Sequence, residues 1–590
     1  MTVKLENSNI KQDGRNCLKQ TYKGGRLSSF VPIHLRKYIV PQNYKKYSPE
    51  DQAVWRFIMK GIVRNLSRYG YHGSLEGLQK TGIYPDKIPK ITNIDKNLQN
   101  FGWRAVCISG FIPPRAFMEF HLHKILPIAS ELRTVQHIFY TPAPDIVHEA
   151  VGHVPFLTNS VFSKFLSAYA KTVLKSISSS EDMEKYKAIR DLSDLKENPK
   201  STLLQIKKQE QKLKSIIKNI SHVSEASYLS RLIWWTSEYG LMGSLKNPKI
   251  YGAGLISSIG ETLHIQKVKK IKLSEDCINY PFDITDFQPQ LFVARNFEHL
   301  LEVLQKVSKR LAIYRGGVYA VNQALQSKTL NTVVLDSGLQ ISGMLTQALQ
   351  TKSKELSFLK FTGPVQLAFK DKQLANHGKD YHKEGYSSPL NFLTKNKKPF
   401  HLWTKRDLSK ESLKIGSPAQ MKFKGGIQLK GQLERELKQK GQLIVLTFKN
   451  CLITDSKNNL LYHPSWGIFD LAVGKKVTSV FSGPADSPAY QLKDDFEPSK
   501  APQKTITAKQ KKIFSLYKKT AQINSSRQLK HFLTKIKKQK HPWLLFLETL
   551  NAVKEKEELK KQVLSHLGPV KSFKLQKKKV FKLGRTFYNI

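Results

Sequence analysis

A change of hydrophobic period near residue 318 constrains this chain more than any other feature. Before it, from SPEDQAVWRFIMKGIVRNL onward, apolar residues recur at helical spacing, and Ser48 is placed to cap the first helix. After LAIYRGGVYAVNQAL, the segments NTVVLDSGLQISGML, AQMKFKGGIQLKGQL and GQLIVLTFKNCLIT alternate or run apolar between Gly, Asn and Asp turns, as strands do. A chain of 590 residues is also too long for one ordinary core, and its 40% apolar residues can fill two or three. The reading is a multidomain protein. A flexible basic tail over residues 1–28 precedes a mainly helical unit over 29–318, a β-rich unit over 319–495 and a Lys-rich helical segment over 496–590. Residues 182–220 form an amphipathic helical hairpin broken at Asn198-Pro199, read as a solvated packing element.

The formal charge of +51 raises the question of nucleic acid, because clustered Lys and Arg displace phosphate counterions. The lysines are spread along the chain and often stand beside Glu, as in NAVKEKEELKK, and no nucleic-acid motif accompanies them. A solvated basic surface is the preferred reading. Only residues 501–590, with 23 Lys plus Arg against 4 Glu, keep a nucleic-acid partner open. Cys17, Cys107, Cys277 and Cys451 are far apart and form no C-x-x-C, which suits a reducing cytoplasm and no cysteine-bound zinc. No window approaches the ~20 apolar residues of a bilayer span, so no membrane partner is expected. Oligomeric state is not legible.

The chemistry concentrates in TPAPDIVHEAVGH, residues 141–153. His148 and His153 are five positions apart, one more than in the zinc-peptidase pattern H-E-x-x-H. On a regular helix started at Asp145 and ended by Pro155, their imidazoles lie ~140° apart and ~7.5 Å along the axis, so they converge only if the helix loosens near Gly152. Two neutral imidazoles need a third ligand, and Glu238 in the apolar SRLIWWTSEYGLM is the candidate, since a carboxylate there needs a cation or metal to offset its burial. A buried salt bridge would serve as well. Together the three make a 2-His-1-carboxylate set, which leaves open positions on Fe(II). A zinc hydrolase with Glu149 as general base is the competing reading of the same residues.

Four segments in order, FYTPAPDIVHEAVGHVPF, WWTSEYGL, KIYGAGLISSIGE and ITDFQPQLFV, closely resemble the pterin-dependent aromatic amino acid hydroxylases, the family of phenylalanine 4-monooxygenase. The resemblance covers roughly residues 30–318 and is greatest to the long bacterial form with a C-terminal extension. It implies a mainly α catalytic domain of the aromatic amino acid hydroxylase type, followed by the β-rich domain and the basic helical C-terminal segment. It implies Fe(II) held by His148, His153 and Glu238, with a tetrahydropterin (tetrahydrobiopterin or a related bacterial pterin) and O2 as partners of an aromatic amino acid. Arg133 matches the arginine that grips the substrate carboxylate, Thr141, Pro144, Trp234 and Gly254 match the amino acid pocket, and Ser257 and Glu261 match supporting positions, Ser257 orienting His148.

On the pterin side, Gly110, Phe111, Ile112 and Phe117 match the loop that holds the bicyclic ring, and Glu149 faces it. Pro113-Pro114, Pro127 and Ile233 depart from the animal enzymes, which bears on the choice of pterin and not on the iron. Trp234 and the aliphatic Ile284 favour phenylalanine, converted to tyrosine. Tyrosine or tryptophan hydroxylation, or a binding role for the basic C-terminal third, are the alternatives.

Overall fold

The computed structural model describes residues 21–22, 25–26, 30–110, 112–138, 144–197, 201–282, 287–491, 506–539 and 542–567. Thr21–Tyr22 and Gly25–Arg26 pair as a minimal antiparallel ladder within the stretch read as a tail. The helix Pro49–Tyr69 starts where the sequence places it. The Ser48 hydroxyl accepts the Asp51 N–H, the Asp51 carboxylate accepts the Ser48 N–H, and Pro49 occupies the first turn, where a missing N–H costs nothing.

That helix buries residues on more than one face, among them Trp55, Phe57, Ile58 and Ile62. The reason lies far along the chain. The C-terminal helices Ala508–Thr520, Ser526–Lys537, Pro542–Ala552 and Glu557–Leu567 fold back onto the first unit, and Leu529, Phe532, Leu544 and Leu550 share one core with Phe57 and Ile58. Phe57 meets Trp543 edge to face at 5.1 Å, and Arg56 Nε donates to both carboxylate oxygens of the buried Glu548 at 3.2 and 3.0 Å. Most lysines of these helices are exposed, while their apolar residues join the first core.

Two small sheets accompany the helices of the first unit. Arg104–Ile108 pairs in parallel with Ile125–Ala129, and a mixed four-stranded sheet orders Pro248–Ile250, Leu241–Gly243, Gln290–Ala294 and Lys269–Lys272. The helices Ser180–Glu197 and Leu203–Lys218 pack on each other through Ala188, Leu192 and Leu213, a cluster separate from the main core.

The β-rich region holds two antiparallel sheets. One orders Lys372–Gln373, Leu356–Phe369, Leu339–Gln350, Leu330–Leu335 and Val477–Ser482, with Gly385–Pro389 also paired to Leu356–Phe369. The other orders Pro418–Lys422, Gln428–Gln439, Gln442–Thr454 and Leu460–Tyr462, with Phe469–Ala472 paired to Gln442–Thr454. The long hairpin 428–454 turns at Lys440 and Gly441, whose φ values of +49° and +80° match the right-handed twist of the strands it joins. The helix Gly317–Ser327 crosses residue 318 and buries Ala320, Val321 and Ala324 against the first of these sheets.

Candidate metal centre

The two histidines converge because the backbone between them is a π-helix, Val147–His153, not a regular helix loosened at its end. In a π-helix each N–H reaches back five residues, as Val154 N does to Glu149 O, so a five-residue step closes about one turn and returns to the same face. Gly152 has a different duty from the one its position suggests. A Cβ there would stand 2.6 Å from Ala253 Cβ and 2.8 Å from Ala253 Cα, so its bare backbone lets the helix Ala253–Ser257 lie against this turn. Pro155 does not stop the chain either. It sits in the first turn of a 3-10 helix, Val154–Thr158, where no donor is required of it.

Glu238 arrives by the same device. The helix Glu225–Ile233 widens into a second π-helix, Trp234–Glu238, closed by Tyr239 N donating to Trp234 O at 2.8 Å. Its carboxylate bridges the two imidazoles, with Oε2 3.2 Å from His148 Nε2 and Oε1 3.2 Å from His153 Nε2. Donors held by one ion at about 2.1 Å and 90–110° stand roughly 3.0–3.4 Å apart, so this spacing fits a shared metal. Burial opposes ionisation of Glu238, yet His153 and His148 together hold its carboxyl well below the usual carboxylate range. An anionic oxygen pair with two imidazole nitrogens is a donor set suited to a divalent iron or zinc ion.

The support around the trio is built from buried polar contacts. His148 Nδ1 lies 3.2 Å from the Ser257 hydroxyl, which fixes the ring and leaves Nε2 toward Glu238. Arg133 is almost fully enclosed and paired to Asp145: its Nε donates to Oδ2 at 2.8 Å, Nη2 to Oδ1 at 2.7 Å, and Nη1 to the Ser257 carbonyl at 2.8 Å. Asp145, seen in the sequence only as a helix start, also accepts the backbone N–H groups of Arg133 and His148. One carboxylate thus ties the arginine to the first histidine's turn. Despite its burial, Arg133 holds the Asp145 carboxyl below the usual range. The acid three residues before a histidine was the only signal for this in the sequence.

The family pattern for biopterin-dependent aromatic amino acid hydroxylase matches residues 20–192 and 196–358, more than half of the chain.

The chain belongs to that family.

The matched region runs past residue 318 into the strands Leu330–Leu335 and Leu339–Gln350. Among relatives, the phenylalanine-4-hydroxylase of Mesorhizobium japonicum is 26% identical over 308 residues, 50% of this chain and 91% of its own length. That of Chromobacterium violaceum is 26% identical over 270 residues, 45% of this chain and 76% of its own. The Chromobacterium violaceum enzyme solved with bound oxidised Fe(III) covers 47% of this chain and 88% of its own at 24% identity, with a TM-score of 0.37.

Of the residues expected to hold the pterin, Gly110 adopts φ +60° and its N–H donates to Glu131 Oε2 at 3.3 Å, while Ser109 Oγ donates to Oε1 of the same residue at 2.8 Å. Glu131 therefore anchors the loop, a role its sequence position did not suggest. Ile112 is buried, and the half-buried Phe117 packs on His121 with ring centroids 4.6 Å apart. Phe111 and Thr141 lie outside the described residues, as does Ile284. Glu149 is buried within 4.8 Å of the two imidazoles, and its Oε2 has no hydrogen-bond partner. Burial pushes its carboxyl up to about 8, partly offset by His153 and reinforced by Glu238 and Asp145. Glu149 thus lies as close to both imidazoles as a ligand could, but burial raises its carboxyl while the imidazoles lower that of Glu238, which favours Glu238 as the anionic donor.

Of the residues expected to line the amino acid pocket, Pro144 is exposed. Trp234 is held flat between Tyr239 and Phe282, centroids 4.7 and 4.1 Å away, and its Nε1 donates to Gln288 Oε1 at 3.0 Å. Both faces of the indole are thus taken by aromatic partners the sequence reading did not name. At Gly254 a Cβ would stand 2.7 Å from the Tyr239 ring and 3.0 Å from the Glu238 carbonyl, so its glycine admits the metal-side turn. Glu261 is buried in the next helix, Ile259–His264. Of the departures from the animal enzymes, Pro127 lies in the two-stranded ladder opposite Val106, where an edge strand tolerates a missing N–H, and Ile233 is the last residue before the second π-turn.

Proposed function

We propose that this hydroxylase converts L-phenylalanine to L-tyrosine, with Fe(II) held by His148, His153 and Glu238 and a tetrahydropterin held by Gly110, Phe111, Ile112, Phe117 and Glu149. The observation that carries the reading is one carboxylate reaching two imidazoles at 3.2 Å from separate π-turns. When bound, the iron and the reduced pterin supply the activation of O2.

The chain's own residues supply position and dryness. Asp145 and the Ser257 carbonyl engage three of Arg133's five N–H groups, leaving one proton on each terminal nitrogen for a substrate carboxylate. Because that guanidinium is fixed to the turn carrying His148, a bound amino acid is aimed relative to the metal ligands without a search of arginine rotamers. Trp234, held rigid by its two stacking partners, and Gly254 bound the amino acid ring, with Thr141 and Pro144 as further contacts. Neutral Glu149 offers a hydrogen bond to the pterin without adding a second negative charge beside Glu238.

The preference for phenylalanine rests on Trp234 and Ile284 and on relatives that are phenylalanine-4-hydroxylases. The proposed division of labour keeps the chemistry in residues 29–318, with the strands between Leu330 and Ser482 forming a β-rich unit and the helices between Ala508 and Leu567 a buttress behind the helix Pro49–Tyr69. A reducing cytoplasm suits the buried free thiols of Cys107, Cys277 and Cys451, and no described helix is long and apolar enough to cross a membrane.

The test is anaerobic loading with ferrous iron, followed by reduced pterin, oxygen and phenylalanine, tyrosine or tryptophan in separate reactions. Para-hydroxylated phenylalanine forms fastest, and Glu238→Ala abolishes it with loss of bound iron. Wild-type turnover by Glu238→Ala, or no product from any of the three amino acids, overturns the assignment.

A further inference from the structure

The β-rich region contains a second set of metal-ligating side chains. His377 and His382 lie on the loop between Lys372–Gln373 and Gly385–Pro389, and Asp470 lies on the strand Phe469–Ala472 of the other sheet. All three are buried, at 2, 8 and 3% exposure. His377 Nδ1 is 3.2 Å from His382 Nε2 and 3.8 Å from Asp470 Oδ2, and one ligand atom from each of the three lies within 4.8 Å of the others. We propose that these residues form a second metal centre, independent of the hydroxylation site, that binds a divalent transition-metal ion of the zinc type.

The placement is rigid and built from both sheets. The loop is pinned to the strand Leu356–Phe369 by Leu367 N donating to His377 O at 2.9 Å and Val365 N donating to His382 O at 3.1 Å. Asp470 is fixed by Thr447 Oγ1 donating to its Oδ1 at 2.7 Å and by the Tyr386 hydroxyl donating to its backbone carbonyl at 2.8 Å. Donors around a tetrahedral ion with bonds of about 2.0–2.1 Å stand roughly 3.3–3.4 Å apart, and the separations of 3.2 and 3.8 Å at His377 Nδ1 already approach that spacing.

A histidine–histidine hydrogen bond alone leaves the carboxylate unexplained. Asp470 Oδ2 accepts no hydrogen bond, and among the described residues its ion-pair partner is His377, not a lysine or arginine. Both imidazoles are buried, and a neutral imidazole nitrogen has a lone pair to give a metal. A cation between the three donors would satisfy the orphaned oxygen and both lone pairs at once.

A cavity of about 410 Å³ lies nearby, lined by Tyr381, Gln432, Glu434, Arg435, Thr447 and Lys449. None of the three ligands lines it, but Thr447, in its wall, donates to Asp470 Oδ1. Three protein ligands leave a fourth position of a tetrahedral ion for water or an added ligand.

The experiment strips the full-length protein with a chelator, dialyses it, and measures zinc per chain by elemental analysis after titration. Two equivalents are expected in the wild type, one of them at His148, His153 and Glu238. Asp470→Asn, which keeps the Thr447 contact, and His382→Gln each lower the count to one without loss of phenylalanine hydroxylation after iron loading. Glu238→Ala retains the equivalent at the second centre. Cobalt(II) substitution gives a visible spectrum with a component absent from both β-region variants. A wild-type count that neither Asp470→Asn nor His382→Gln lowers, with Glu238→Ala retaining no zinc, overturns the proposal whatever the variants' stability. Because the readout is stoichiometry and spectrum, failure here leaves the hydroxylase reading intact, and failure of hydroxylation leaves this one intact.

Discussion

Replacing Asp145 by alanine exposes how the substrate side and the metal side of this site are joined. The Asp145 carboxylate accepts four hydrogen bonds: from the Arg133 backbone and Nε at 3.0 and 2.8 Å, from Nη2 at 2.7 Å, and from His148 N at 3.1 Å. The two side chains are 1 and 4% exposed, so water cannot replace the lost partner. A buried pair broken from one side costs about 3–5 kcal/mol, mostly the penalty of a stranded charge, which is about two to three and a half orders of magnitude in an opening equilibrium. Hydrogen exchange of peptides covering residues 144–153 reads that opening directly. Asp145→Ala and Arg133→Leu should each accelerate exchange by about that factor, and Asp145→Leu combined with Arg133→Leu should cost far less than the sum, because no charge is then left unpaired. Strict additivity within about 0.5 kcal/mol would refute the reasoning.

Further outcomes follow from the same geometry. Ser257→Ala removes the contact that orients His148 and should weaken iron binding about 10–100-fold, measured by metal competition, with the protein otherwise folded. Gly152→Ala drives a methyl into Ala253 and should destabilise the metal turn by about 1–3 kcal/mol, seen as faster exchange of residues 147–153. His121 is buried with neither ring nitrogen hydrogen-bonded, and burial, with a smaller contribution from His153, takes its pKa to about 3. Its folded-state value lies below the unfolded one, so the associated stability is present above pH ~6.5 and is lost as pH falls toward 3, about 2 kcal/mol by pH 5. His121→Leu should therefore lose less stability between pH 7.5 and 5 in urea titrations, and parallel pH dependences would remove His121 as the cause.

The local devices of this fold were legible because each is encoded within a few residues. The Ser48–Asp51 capping box sits in SPED, the alternation of AQMKFKGGIQLKGQL announces a strand, and the spacing of His148 and His153 excludes a regular peptidase helix. The need for a loosened turn was also readable, although its form was not. The structure spreads the widening over all of Val147–His153 and repeats it at Trp234–Glu238, and it uses Gly152 for contact with Ala253. Hydrogen-bond register within a helix depends on what packs against it, and that information lies elsewhere in the chain.

Donor types, helix starts and the change of period belong to the sequence itself, since they follow from side-chain chemistry and short-range backbone preference. Only tertiary packing decided that Asp145 would clamp Arg133, that Glu131 would anchor the loop at Gly110, and that a C-terminal segment read as basic would bury Glu548 against Arg56. The same holds for His377, His382 and Asp470, which carry no mutual signal until a loop of one sheet is laid beside a strand of the other. Burial and convergence are properties of surfaces brought together over long chain separations, and a one-dimensional pattern records only the residues that make such meetings possible.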